Sequence, residues 1–134
     1  IRDRKLVAVP MPAGAGTRNA TMPASAETEL RNLMSSHVGV IRNGDDLADA
    51  IHTFASIESS AGNITLRNMA TTALLVATAA WSRRESRGGH YRSDCPAEIP
   101  VLARRTMTTL AQAHKIAQDL VTDAPAPATL CATA

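Results

Sequence analysis

The scarcity of aromatic residues is the feature that most constrains how this chain can fold. Aromatics make up only 2% of its 134 residues, and they are Phe54, Trp81 and Tyr91. Hydrophobic residues still account for 45%, so the core must consist of Leu, Ile, Val, Met and much Ala. Alanine has the highest helix propensity, whereas a sheet would be expected to carry more β-branched and aromatic residues. The composition therefore predicts an all-α fold in one small domain.

Apolar residues at helical spacing indicate three helices in the middle of the chain. The first is predicted from about residue 26 to 41. The second begins at an N-cap formed by Asn43 or Asp45, and the third is capped by Asn63 and runs from about 64 to 86. Short loops favour an antiparallel three-helix bundle. The expected apolar faces are Leu30, Leu33, Met34, His37, Val38 and Ile41, then Leu47, Ala50, Ile51, Phe54 and Ala55, then Leu66, Met69, Ala70, Ala73, Leu74, Ala77, Ala80 and Trp81.

The two ends of the chain differ from this bundle in composition. Residues 1–24 are rich in Pro, Gly, Ala and Thr, which predicts a flexible linker, and residues 123–134 predict a disordered tail. The bundle domain is expected to span 25–122. Its last part, from about 109 to 121, has a helical period, and the segment before it fits a helix or an extended chain equally well. The start at Ile1, without Met, suggests the C-terminal piece of a larger polypeptide.

Several classes of function find little support in the residues. The stretch from Gly14 resembles a dinucleotide loop, but Asn19 replaces its third glycine and no helix follows, which favours the linker. Cys95 and Cys131 lack metal-site spacing, and without a secretory signal we expect reduced thiols in a cytoplasmic protein. No apolar run reaches the ~18 residues of a membrane span. A net charge of +2 and few aromatics argue against nucleic-acid binding.

The histidines suggest no catalytic centre. His37 lies on the apolar stripe of the first helix, where we expect a core or interface residue bonded to a backbone carbonyl. His52 and His114 are predicted on exposed faces. No nucleophile–base arrangement can be assembled, and a metal bound by His90 and Cys95 would need two further ligands. We therefore predict no catalytic, cofactor-binding or metal-binding residue in this chain.

One dense polar stretch, residues 83–94, stands out, and we call it the arginine segment. It holds four Arg, one His and two acids, with no aliphatic side chain. Its first arginines suit the C-terminal end of the third helix, which Gly88 would terminate. Beyond that point no dipole argument applies, and arginine forks suit carboxylates or phosphates. Docking to another domain is favoured over a solvated surface, with candidate residues Glu85, Arg87, Gly88, His90, Tyr91, Arg92 and Asp94.

The arginine segment, followed by Pro96, resembles the signature near the C-terminus of the L-aspartate oxidase family. Its E-S-R-G-x-H pattern also occurs in the related flavoprotein subunits of succinate dehydrogenase and fumarate reductase, and Tyr91 favours the aspartate oxidases. Gly89 and Cys95 depart from the family pattern, and the match is poor after Pro100. The resemblance covers about residues 27–110 and includes stretches 30–34, 37–42 and 66–69.

The resemblance implies a parent enzyme that uses FAD to oxidise L-aspartate to iminoaspartate in NAD biosynthesis, with oxygen or fumarate as electron acceptor. Such an enzyme would comprise a flavin-binding domain, a capping domain and a C-terminal three-helix bundle, the last being this chain. The family's FAD and substrate residues lie in the earlier domains, so the chain alone would bind no cofactor and be inactive. We expect it to buttress the flavin domain through Arg87, His90, Tyr91 and Arg92.

Three alternatives remain open from the sequence. The parent could be a flavoprotein subunit of the succinate dehydrogenase or fumarate reductase type. A stand-alone helical module could instead bind anions or nucleic acid through the same arginines, in which case its affinity would fall steeply with salt. A purely structural bundle would leave the arginine segment facing solvent.

Overall fold

The structure, a computed structural model, describes residues 24–122. This part of the chain is mainly helical, which confirms the all-α prediction and is consistent with a helical bundle. The predicted tail, and the predicted linker up to residue 23, lie outside the described residues. In chain order the elements are α1 (Ala24–Ser36), β1 (Ile41–Arg42), α2 (Gly44–Ser60), α3 (Ile64–Ser82), β2 (Tyr91–Arg92), a 3₁₀ turn (Pro100–Leu102) and α4 (Leu110–Thr122).

Helices α2 and α3 form the centre of the bundle. Each begins at an asparagine N-cap: the Oδ1 of Asn43 accepts the N–H of Asp46, and the Oδ1 of Asn63 accepts the N–H of Leu66, both at 2.8 Å. These bonds satisfy backbone donors that the first helical turn leaves free. Only residues 61–63 separate the two helices, which pack extensively against each other. A connection this short is typical of antiparallel neighbours.

The core between the helices is built mostly from alanine and aliphatic residues, as the composition predicts. Helices α1 and α4 each contact both α2 and α3. Buried alanines occur on three of the helices, where a small side chain lets the backbones approach closely. Among the predicted positions, Ala55, Met69 and Trp81 are half-buried at the edge of the core. The buried apolar residues of the core are Leu30, Val38, Leu47, Ala50, Ile51, Phe54, Ile57, Ala61, Leu66, Ala70, Ala73, Leu74, Ala77 and Ala80, together with Ala113 and Ala117 of α4.

The first helix ends earlier than predicted. It stops at Ser36 instead of about 41, because the chain then turns and forms β1. Strand β1 pairs in parallel with β2, so that Ile41 is opposite Tyr91 and Arg42 is opposite Arg92. Ile41, which we expected on the apolar stripe, is 67% exposed. This pair of strands was not predicted.

The third helix also ends earlier, at Ser82 instead of about 86. Gly88 does not terminate it. Instead Gly88 lies in a tight turn, with φ of 58°, that the backbones of Arg87 and His90 close with two mutual hydrogen bonds of 2.8 and 3.0 Å. The predicted bounds of α4 are correct within one residue. In the segment before it, which fitted a helix or an extended chain equally well, a 3₁₀ turn is the only helical element described between Arg83 and α4.

Three smaller predictions need correction. His37 is half-buried, but its Nδ1 bonds the hydroxyl of Ser36 at 2.7 Å and not a backbone carbonyl. His114 is not a free exposed residue, because its Nε2 lies 2.7 Å from a carboxylate oxygen of Glu58. Cys95 is disulfide-bonded, so the reduced thiol that we expected is wrong at this position and gives no support to a cytoplasmic location.

Candidate functional site: the arginine segment

A buried carboxylate, Glu85, forms the centre of the first half of the arginine segment. Its side chain is fully buried. One oxygen accepts a bond from Arg83 Nη2 at 2.6 Å, and the other accepts bonds from Arg87 Nη2 at 3.1 Å and from the N–H of Ile99 at 2.9 Å. The bonds from Arg87 lower the pKa of Glu85 to about 2, and those from Ile99 and Arg83 act in the same direction against the opposing effect of burial.

The two arginines around Glu85 also hold the chain that follows the segment. Arg87 donates to Glu98 Oε2 at 2.9 Å and to the carbonyl of Ile99 at 3.3 Å. Arg83 donates to the carbonyl of Leu102 at 3.0 Å. The bonds with Glu85 raise the pKa of Arg87. Arg83, Glu85 and Arg87 together therefore attach the stretch before α4 to the end of α3.

A second ion pair, Arg92 with Asp94, joins the end of α3 to the start of α2. Arg92 is 3% exposed. Its Nη1 donates to the carbonyl of Trp81 in the last turn of α3 at 2.7 Å, while Nε and Nη2 donate to the two oxygens of Asp94. Asp94 Oδ2 also accepts the N–H of Gly44, the first residue of α2, at 3.1 Å. These bonds with Arg92, supported by Gly44, lower the pKa of Asp94.

The charges of this pair match the helix ends that they contact. A cation lies at the C-terminus of α3 and an anion at the N-terminus of α2, which is the arrangement that helix dipoles favour. The expectation that no dipole argument applies beyond Gly88 is therefore wrong for both residues. Gly44 is needed for this close approach, because a Cβ there would lie 2.7 Å from Arg92 Nη2 and 2.9 Å from Asp94 Oδ2.

His90 connects the arginine segment to β1. Its Nδ1 lies 2.9 Å from Arg42 Nη1, and its Nε2 lies 3.1 Å from the carbonyl oxygen of Arg83. A guanidinium can only donate, so Nδ1 is the acceptor and Nε2 carries the proton that it donates to the carbonyl. Burial is the main cause that lowers the pKa of His90, and the positive charges of Arg42, Arg92 and Arg83 add to it. The geometry and the charges both favour the neutral ring.

We expect His90 to make the chain less stable at mildly acidic pH. Its folded pKa lies below the ordinary value of 6.5, so the unfolded chain takes up the proton more readily. The stability present above about pH 6.5 should therefore decrease as the pH falls through that value toward the folded pKa. His90→Gln keeps an acceptor and a donor but does not titrate. Urea unfolding at several pH values between about 7 and 5 should show a shallower decline for this variant.

A matched control for the His90 experiment is His52→Gln, because His52 is exposed on α2. This variant should retain the pH dependence of the unchanged chain. If His90→Gln shows the same slope as His52→Gln, the neutral, half-buried ring of His90 is not the source of the effect.

Ser86 is part of the site although it was not among the predicted residues. It is buried, its hydroxyl lies 2.8 Å from the carbonyl of Cys95 and 3.2 Å from that of Arg92, and it accepts the N–H of Arg92 at 2.8 Å. It stands between Glu85 and Arg87 in the E-S-R-G-x-H pattern, which is the signal that could have identified it.

A second polar cluster, Glu58 with Thr71 and His114, links α2, α3 and α4. Glu58 accepts the hydroxyl of Thr71 at one oxygen and lies 2.7 Å from His114 Nε2 at the other. Burial acts most strongly on the pKa of Glu58 and raises it, but the combined contributions of Thr71, His114 and Arg67 lower it overall. Sequence analysis missed this cluster because its members are 13 to 56 positions apart in the chain.

Most charged side chains of the arginine segment are buried or half-buried. Of the seven predicted residues, Glu85 and Arg92 are buried, Arg87 and His90 are half-buried, and Gly88, Tyr91 and Asp94 are exposed. Arg84 also faces outward, with its guanidinium 5.4 Å from the centre of the Trp81 ring. The structure therefore brings most of the predicted residues together. Most of their charged groups bond to each other, however, and do not face outward toward a partner.

Three further observations concern residues 24–122. They contain no group of three or more His, Cys, Asp or Glu side chains that could hold a metal ion. None of their helices is both long and apolar enough to cross a membrane. Within the same part of the chain, every buried side-chain nitrogen or oxygen has a hydrogen-bond partner.

Comparison with known proteins finds a family model that matches this region of the chain. The model of the fumarate reductase flavoprotein C-terminal domain matches residues 63–119, which include α3, the arginine segment and most of α4. The match therefore continues beyond Pro100, where we expected little resemblance. No solved structure gives a significant match.

Curated relatives match over a longer part of the chain. An L-aspartate oxidase of Rhodospirillum rubrum is 48% identical over 82 residues, which are 61% of this chain and 30% of that protein. An L-aspartate oxidase of Caulobacter vibrioides is 39% identical over 87 residues, 65% of this chain and 16% of that protein.

A third relative, an uncharacterized FAD-dependent oxidoreductase of Methanocaldococcus jannaschii, is 38% identical over 80 residues, 51% of this chain and 15% of that protein. The chain thus spans between 15% and 30% of the length of these three relatives. Residues 63–119 are thus similar to the fumarate reductase flavoprotein C-terminal family, and more than half of the chain is similar to part of two proteins named L-aspartate oxidase.

Proposed function

We propose that this chain is the non-catalytic C-terminal domain of an FAD-dependent L-aspartate oxidase, which converts L-aspartate to iminoaspartate. The observation that carries the proposal is the 48% identity with the Rhodospirillum rubrum L-aspartate oxidase over 82 residues. FAD would be bound by the rest of the polypeptide. A place in NAD biosynthesis, in the cytoplasm, belongs to the same proposal.

The internal bonding of the arginine segment supports a structural role for this domain. Glu85, Arg92 and Ser86 are buried and bonded to groups of the same domain. A residue that handles substrate needs an atom free to meet it, whereas these groups fix the ends of α2 and α3 and the path of the chain between them. The domain's partners would be the flavin-binding and capping domains of the same polypeptide, and it would contact neither nucleic acid nor a membrane.

The proposal is tested on the complete polypeptide that carries this chain. We expect the purified protein to be yellow, to release FAD on denaturation, and to oxidise L-aspartate with oxygen or fumarate as electron acceptor. Absence of bound flavin, or failure to oxidise L-aspartate, would contradict the proposal.

A second candidate is a flavoprotein subunit of the fumarate reductase or succinate dehydrogenase type. The family model that matches residues 63–119 is named after fumarate reductase, which favours keeping this candidate. The same preparation distinguishes the two: oxidation of succinate without oxidation of L-aspartate would support the second candidate and exclude the first.

A further inference from the structure

A small apolar surface lies where β1 and β2 meet. It consists of Val40, Ile41 and Tyr91, and we call it the apolar corner. Val40 is 78% exposed, Ile41 67% and Tyr91 42%. Ile41 and Tyr91 are directly opposite each other in the parallel pair. Exposed apolar residues that occur singly need no explanation, but a group of them often marks a contact site.

The strand geometry separates this surface from the charged groups. Successive side chains of a strand point to opposite faces. Ile41 and Tyr91 therefore share the outer face, while their neighbours Arg42 and Arg92 share the inner one. This agrees with the burial of Arg92 and the partial burial of Arg42. The bonded side chains of Arg42 and Arg92 thus lie on the inner face of the strand pair, opposite the face that carries Ile41 and Tyr91.

The apolar corner is held in place although its strands are only two residues long. A strand pair of this size is marginal by itself. Here the carbonyl of Arg42 accepts the N–H of Ser93 at 2.8 Å, and the side chain of Arg42 donates to His90. Ser86 bonds both the N–H and the carbonyl of Arg92. The side chains of Arg42, His90 and Ser86 thus connect the strand pair to the rest of the domain. The exposure of Ile41 and Tyr91 therefore follows from a backbone that is held in one position.

The arginines of the segment are poorly suited to be the main contact with a partner. Arg92 donates to Trp81 and Asp94, and Arg87 donates to Glu85 and Glu98, so both guanidiniums already have carboxylate partners. To contact another domain, Arg92 would have to leave a buried site and break its ion pair with Asp94, which is unfavourable. The neighbouring residues that offer apolar area without breaking a bond are those of the apolar corner.

We propose that the apolar corner is the surface through which this domain packs against the flavin-binding part of the same polypeptide. The proposal rests on the proposed function and names its contact surface. The chain spans at most 30% of the length of the three relatives described above, and the matching family model describes a C-terminal region. Most of such a polypeptide therefore lies outside this structure and precedes this domain. The surface of the flavin-binding part that meets the apolar corner should itself be apolar, with a polar group that bonds the hydroxyl of Tyr91.

The test uses the complete, flavin-loaded polypeptide and the double substitution Ile41→Ser with Tyr91→Ser. Both side chains are exposed in this domain, so their loss should change its own packing little, but it should remove apolar contact with the flavin domain. We expect the temperature at which flavin fluorescence appears to fall by about 5 °C. Limited proteolysis should also separate the two domains faster.

The matched control is the double substitution Met107→Ser with Val121→Ser. Met107 is 81% exposed and Val121 62%, and both lie outside the arginine segment. This variant should release flavin at the temperature of the unchanged protein. If it lowers that temperature as much as the test variant, or if the test variant has no effect, the assignment of the surface is wrong, whether or not the polypeptide oxidises L-aspartate.

The other occupant of the apolar corner would be a second copy of the chain. Size-exclusion chromatography of the same variants distinguishes this case. A dimer that dissociates in the Ile41→Ser, Tyr91→Ser variant, with flavin release unchanged, would overturn the proposal in favour of self-association. A polypeptide without bound flavin would instead contradict the proposed function itself.

Discussion

Replacing Arg92 with alanine should lower the free energy of unfolding of the chain by about 2–3 kcal/mol, the order of magnitude of the charge-assisted hydrogen bonds that the buried guanidinium loses. The guanidinium contributes three bonds, two to Asp94 and one to the carbonyl of Trp81. Its loss leaves the last turn of α3 without its cap and leaves Asp94 without its counterion. The effect can be measured by urea unfolding, followed by circular dichroism of the helices.

Two further variants show whether this loss reflects burial and geometry. Arg84→Ala removes an exposed arginine of the same segment whose guanidinium lies over the ring of Trp81, and we expect a loss of less than about 1 kcal/mol. Arg92→Lys keeps the charge but cannot donate along two directions from a planar fork, so it should recover only part of the stability. A loss for Arg92→Ala no larger than that for Arg84→Ala would show that the bonds of Arg92 do not hold the helix ends.

Local patterns predicted the helices of this domain well, because local features determine them. The two asparagine N-caps precede apolar residues at helical spacing, and the buried faces of α2 and α3 consist of the residues that this spacing selects. Ala77 is an example, since both its helix propensity and its position in the repeat indicate a buried helical residue. Even α4, for which the pattern was weaker, was predicted within one residue at each end.

The C-terminal ends of α1 and α3 could not be predicted in the same way, because residues distant in the chain determine them. Helix α3 stops at Ser82, and Arg92 caps its last turn by bonding Trp81, eleven positions earlier in the chain. Strand β1 follows α1 because it pairs with β2, and β2 lies about fifty positions later in the chain. A two-residue strand leaves no periodic signal of its own, so neither event is visible in the local sequence.

The direction in which the arginine segment faces is also not visible in the sequence. Four arginines with two acids fit an interface with another domain and a closed internal network equally well, because both need matched charges. What distinguishes them is burial. Glu85 and Arg92 are buried, whereas Tyr91, the residue between two strongly polar neighbours, is exposed. Docking to another domain through this segment therefore remains a prediction. The contact that we now propose is made by the apolar corner and not by the charged side chains.

Replacing Glu85 with glutamine should lower the thermal midpoint of the chain at neutral pH by on the order of 10 °C. Arg83, Arg87 and the N–H of Ile99 all donate to this carboxylate. Glutamine retains one acceptor oxygen but has no charge, so Arg83 loses its ion pair with Glu85 and Arg87 keeps only its ion pair with Glu98. The stretch before α4 should then detach from the end of α3, which thermal unfolding monitored by circular dichroism would show.

The pH dependence of this loss identifies the carboxylate as its cause. The pKa of Glu85 is lowered from 4.5 to about 2, so its contribution to stability is fully present above about pH 4.5 and is lost as the pH falls toward 2. The difference between Glu85→Gln and the unchanged chain should therefore shrink over that range, because protonated Glu85 resembles glutamine. Glu98→Gln is the control, since Glu98 is 61% exposed and bonds only Arg87 among the described residues. It should shift the midpoint by only about 1–2 °C. A difference that stays constant with pH would mean that the shape of the residue at position 85, and not its charge, stabilises the domain.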